Sequence, residues 1–158
     1  PVITPSLPDL KQYLVTPRLT DDIEDAALAV LAAPEVPQDP DGRVGLLGIS
    51  FAGGLSVIAA GRQALRDRVA FVFAVGGHAH LPGVMRYLST GVQPDGKAHP
   101  PHDYGSVILL TNMADDVVPA AQVAPLRAAV HQFLHASHVD MFDKPQAARE
   151  FERAVQME

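Results

Sequence analysis

Val44-Gly45-Leu46-Leu47-Gly48-Ile49-Ser50-Phe51-Ala52-Gly53-Gly54 is the stretch whose reading decides the fold. Its first six residues form a short apolar run without strict alternation, the pattern of a strand covered on both faces in a parallel sheet. From Ala52 to Leu65 the chain is rich in Ala, Leu and other small side chains and reads as a helix. Ser50 therefore stands between a strand and a helix, with Gly48 two residues before it and Ala52 two residues after. A nucleophile at such a junction needs so tight a turn that the residues two before and two after must be small. The following helix aims its N-terminal N–H groups and positive dipole end at the serine, which makes the Phe51 N–H an oxyanion donor. A competing reading of the same residues is a tight turn in a nucleotide-binding or flavodoxin-like sheet, with Ser50 merely polar.

Outward from this junction, the pattern alternates between strands and helices. Asp21 and Glu24 have capping-box-like spacing, and Ile23, Ala27, Val30 and Leu31 share one helical face, predicting a helix that ends near Ala33. Pro34, Pro37, Pro40 and Asp41-Gly42 stop it and supply a turn. Val69 to Val75 reads as a second buried strand, Leu81 to Leu88 as a short helix, and Val107 to Leu110 as a third buried strand. Ala120 to Leu134 is predicted helical with Val123, Leu126, Val130 and Leu134 on one face. Pro145 suits the first turn of a last helix that carries Ala148, Phe151 and Val155 on one face. Such an order implies an α/β fold, an open and mostly parallel sheet with helices on both faces, whose sites form at the carboxyl ends of the strands. Residues 1–20, with Pro1, Pro5, Pro8 and Pro17, are expected to form an extended arm ahead of a domain over 21–158. The irregular stretch from Ser89 to Gly105 is a candidate lid or substrate loop.

Composition narrows the function classes. The chain has 158 residues, 47% hydrophobic and 19% charged, enough to bury one core. Its formal net charge of -6 and scattered Lys and Arg argue against nucleic acid as a partner. There is no cysteine, hence no disulfide framework and no thiolate metal site, which slightly favours the cytoplasm. No apolar run approaches the roughly 18–20 residues needed to span a bilayer, so a soluble protein is expected.

The run Thr111-Asn112-Met113-Ala114-Asp115-Asp116-Val117-Val118-Pro119, following the predicted third strand, resembles the acid-bearing loop of α/β-hydrolases. There an Asp follows a buried strand and precedes an x-Val-x-Pro or x-Val-Val-Pro run. Together with the Gly48-Ile49-Ser50-Phe51-Ala52 turn, the chain from about Asp21 onward looks like this superfamily of serine esterases, lipases and peptidases. Ala52 departs from the commoner glycine. The resemblance implies a three-layer α/β sandwich and an acyl-enzyme on Ser50 formed from a small carboxylic ester or amide, with no cofactor. It also implies Asp115 as the triad acid and, by the family order of Ser, acid and His, a base after Asp115. His131, His135 and His138 are the candidates. His138, in Ala136-Ser137-His138, resembles the family's ending and is preferred. Only 22 residues lie between Asp115 and His138, so the alternative is a base beyond Glu158. No His-Gly-rich loop for a second oxyanion donor occurs among the 49 residues before Ser50. The expectation is thus the C-terminal portion of a larger enzyme, truncated on the N-terminal side and associating with the missing segment or with itself.

Two other readings use different residues. His78-Ala79-His80 and His99-Pro100-Pro101-His102-Asp103 invite a metal-dependent hydrolase, but their spacing matches no known ligand set, and no metal is assigned. His78 and His80 follow the carboxyl end of the second strand and are expected to line the substrate pocket. A non-catalytic binding domain that keeps the hydrolase sheet is the remaining alternative.

Overall fold

The computed structural model describes residues 1–157. It divides into two compact units, Pro1–Val84 and a second from Met85 onward.

The first unit holds α1 (Pro8–Lys11), α2 (Leu19–Ala32), β1 (Val44–Ile49), α3 (Phe51–Ala60) and β2 (Val69–Val75). The early prolines leave one helical turn, opened by Pro8 and followed by Tyr13 at φ 58°, where the Thr16 hydroxyl donates to Asp9 at 2.7 Å. Strand β1 pairs in parallel with β2, Leu47 opposite Phe73 and Ile49 opposite Val75, with a register irregularity between Val44 and Gly45. Both strands have the bounds expected from their apolar runs. The connection between them is α3, which packs on β1, β2 and α2. Leu19, Leu55, Ala59 and Leu65 are buried. Each fully buried Leu contributes on the order of 1.5–3 kcal/mol. Beyond the end of α3, Arg62 pairs with Asp21 and Glu24 of α2. The Glu24 hydrogen bond, with Asp21 adding to it, holds the Arg62 guanidinium above its ordinary pKa.

Cover on both faces of these strands was the expectation, and helices meet it on one. The opposite face presents Leu47, Ile49, Phe71, Phe73 and Val75, with Leu47 65% and Phe71 62% exposed. The Phe71 ring lies across Gly45, where an added Cβ would meet it at 2.3 Å. A mixed α/β chain is what the residues form. A full three-layer sandwich is not, because the described residues contain two extended strands and an isolated bridge between Val92 and Ala98.

The chain leaves the first unit through α4 (Leu81–Thr90), and the second unit is helical: α5 (Asp103–Asn112), α6 (Ala114–Val117), α7 (Ala120–Asp140) and α8 (Lys144–Val155). Here the predicted third strand is overturned. Val107 to Leu110 lies inside α5, with Ile108 and Thr111 buried at the i, i+3 spacing of a helix. A four-residue apolar run fits a buried helix as well as a strand. The local signals at its start favour helix: Pro100-Pro101 breaks the chain, His102 caps, and Asp103 places a negative charge in the first turn. The segment 89–105 correspondingly ends in the first turn of α5.

Helix α7 runs six residues past the predicted end at Leu134 and includes Pro125. Val130 and Leu134 are buried as expected, and α8 packs along α7. The face of α8 needs correction. Asp143 caps it by accepting from the Gln146 N–H at 2.9 Å, and Pro145 lies in its first turn as expected. Its buried residues, however, are Ala147 and Glu150, while Ala148 is exposed and Val155 is 87% exposed. Counting apolar residues alone rotates the face, because Glu150 is buried with its carboxylate accepting from Gln132 Nε2 at 2.9 Å and from Arg153 Nη1 at 3.0 Å. Among the described residues no helix is long and apolar enough to cross a membrane.

Candidate active site at the Ser50 turn

Ser50 has φ 57° and ψ -128°, a conformation that costs a non-glycine residue on the order of 1–3 kcal/mol. It occupies the N-cap of α3, yet its hydroxyl makes no cap hydrogen bond. An ordinary capping serine is extended and accepts from the second or third N–H of its helix. Ser50 does neither. Its N–H donates to the Val75 carbonyl at 2.8 Å, continuing the β1–β2 ladder, and its carbonyl accepts from the Gly53 N–H at 2.9 Å. The chain thus reverses from strand to helix within one residue and leaves the Ser50 side chain exposed.

Tightness dictates the neighbours. A Cβ on Gly48 would stand 2.3 Å from the Ala52 carbonyl oxygen and 2.7 Å from the Gly53 nitrogen, so no side chain fits there. The N–H groups of Phe51 and Ala52, in the first turn of α3, have no acceptor within their own helix and lie at its positive end. An oxyanion formed beside Ser50 would find them there.

A second double glycine completes the arrangement. Beyond β2, Gly76 takes φ 62° and Gly77 comes back against α3, so close that a Cβ on Gly53 would lie 3.0 Å from the Gly77 Cα. A Cβ on Gly54 would meet the His78 carbonyl oxygen at 2.7 Å and the His78 ring at 2.9 Å. The half-buried His78 ring meets the Phe51 ring edge-on, centroids 5.6 Å apart at 68°. Ser50, Phe51 and His78 therefore lie together in the first unit, around the start of α3. Both Gly-Gly pairs stand in the sequence, but their mutual contact does not follow from spacing.

The other expected site residues belong to other elements. His80 precedes α4, where its Nδ1 accepts from the Gly83 N–H at 3.0 Å, a helix-capping role. Asp115 belongs to the second unit, on α6 rather than in a loop after a strand, and its carboxylate pairs with Arg127. The arrangement expected around Asp115 is corrected with the strand that was to precede it. His138 is exposed in the last turn of α7, edge-on to Phe142 with centroids 5.4 Å apart. His131 and His135 are exposed on the same helix. The histidines of the metal reading are engaged separately. His102 Nδ1 accepts from the Tyr104 N–H at 3.2 Å, and His99 Nδ1 lies 3.2 Å from the Tyr87 hydroxyl. Among the described residues no three His, Asp or Glu side chains gather into a group able to hold a metal ion. In the loop between α4 and α5, hydrogen bonds from Lys97 hold the Asp95 carboxyl below its ordinary pKa.

Comparison with protein-family models, curated proteins and solved structures returns no match.

Strain at Ser50 makes a direct prediction. Ser50→Gly relieves about 1–3 kcal/mol of backbone strain against about 0.4–1 kcal/mol of added freedom in the unfolded chain. A net gain of about 1 kcal/mol over Ser50→Ala, which keeps the strain, is expected in denaturant melts. Equal stability of the two variants would mean that the turn is relaxed.

Proposed function

We propose that Ser50 is the nucleophile of a serine hydrolase that cleaves a carboxylic ester or amide through an acyl-enzyme. The observation that supports this is the positive-φ Ser50 at the carboxyl end of β1, in a turn so tight that Gly48 lies against the Ala52 backbone, with its hydroxyl uncommitted to capping. In the reaction the Ser50 oxygen attacks the substrate carbonyl while a general base takes its proton. The tetrahedral oxyanion is held by the Phe51 N–H, and collapse expels the alcohol or amine, which takes up that proton. Water then attacks the ester on Ser50 and releases the acid. His78 and His80 enter this scheme as pocket residues, from their place after β2.

A fluorophosphonate probe tests the nucleophile. Labelling of the native chain at Ser50, lost in Ser50→Ala with an unchanged circular dichroism spectrum, is the expected result. Equal labelling of both chains, or none of either, removes the proposal. The second reading, a non-catalytic binding domain with a hydrolase-like sheet, draws on the apolar face left open by Leu47, Ile49, Phe71 and Phe73. Large exposed apolar patches mark interaction sites. An unlabelled native chain would favour that reading.

A further inference from the structure

We propose that His78 is a positioning residue for the Ser50 turn: its ring, backed by the Gly76-Gly77 reversal, clamps Phe51 and so holds both the strained serine and its oxyanion donor. The proposal rests on Ser50 being the nucleophile. A strained dihedral persists only where its surroundings over-determine it. At Ser50 those surroundings are the residues leaving β2. Val75 accepts the Ser50 N–H at 2.8 Å, Gly77 backs Gly53, and His78 covers Gly54 and meets the Phe51 ring. Val75, Gly77 and His78 thus contact Ser50, Phe51, Gly53 and Gly54.

Their contributions differ. The Val75 hydrogen bond anchors the nitrogen of Ser50, while ψ is held from the far side, by the Gly53 N–H on the Ser50 carbonyl at 2.9 Å and by the contact of the Phe51 ring with His78. That angle, -128° here, orients the peptide plane carrying the Phe51 N–H. Rotation about it would turn the oxyanion donor away and sweep the Phe51 side chain with it. The Phe51 ring is held edge-on by His78, and His78 is itself seated against Gly54, which has no side chain to keep it off. The imidazole acts here as a flat ring in contact, so a phenyl ring should replace it and a flexible amide should not.

The rate of fluorophosphonate labelling at Ser50, measured on the full chain across pH, tests this. His78→Ala and His78→Gln are expected to slow labelling about 10-fold, the rate equivalent of one lost aromatic edge contact. His78→Phe is expected to label at least about 3-fold faster than His78→Gln, because a flat ring again meets Phe51. Native-rate labelling of His78→Ala overturns the clamp, as does a His78→Phe no faster than His78→Gln. If His78→Ala fails to fold, the Phe-versus-Gln comparison decides, measured below both melting midpoints. A native chain that takes no label at Ser50 overturns the nucleophile and the clamp together, whereas a labelled native chain with indistinguishable variants overturns the clamp alone.

Discussion

Gly48→Val is expected to destabilise the first unit by about 3 kcal/mol or more and to abolish fluorophosphonate labelling at Ser50. Overpacking a fitted site ordinarily costs about 1–3 kcal/mol, because side chains give way. Here the first added carbon would lie 2.3 Å from the Ala52 carbonyl oxygen and 2.5 Å from the Ala52 carbonyl carbon. These are backbone atoms in the first turn of α3, so no rotamer change relieves the overlap. The strand and helix must separate, and with them the Ser50 dihedrals that expose its side chain. A urea melt followed by circular dichroism reads the stability, and probe labelling reads the site. Gly61→Ala is the control, since its nearest neighbours stand at 3.5 and 3.8 Å, and a change within about 0.5 kcal/mol is expected. Native-like stability and labelling in Gly48→Val would mean that the turn is wider than described.

Leu134→Ala should cost the second unit about 2–5 kcal/mol, the range for emptying a buried leucine site. Leu134 is 1% exposed on α7, the helix against which α8 packs. The loss combines the transfer of its side chain to water with the cavity left between stiff helices. Met141→Ala, at the end of the same helix and 67% exposed, is expected to change stability by no more than about 0.5 kcal/mol. Similar effects of the two substitutions would show that the α7 face is wrongly oriented. This outcome is independent of any catalytic role for Ser50.

The contrast between the units explains what could be read in advance. In the first, β1 and β2 follow from local pattern, since apolar runs of six and seven residues bounded by turns leave few alternatives. In the second, Val107 to Leu110 is short enough to suit either period, and its helical state follows from the His102 cap and from the helices around it. The acid loop expected around Asp115 depends on that strand; with a helix in its place, Asp115 lies on α6 and pairs with Arg127. The α8 face shifted for another reason: a buried Glu150, satisfied by Gln132 and Arg153, is invisible to a count of apolar positions.

What the amino-acid order by itself determined is the Ser50 turn, because a reversal within one residue admits only small neighbours at set positions, and Gly48 and Ala52 mark them. Tertiary structure alone decided what surrounds that turn. The meeting of Gly53-Gly54 with Gly76-Gly77, the His78 ring on Phe51 and the open face of β1 and β2 join or expose residues distant along the chain. Local propensity carries no record of such contacts, because they arise only when α3 folds back and brings the end of β2 beside the end of β1.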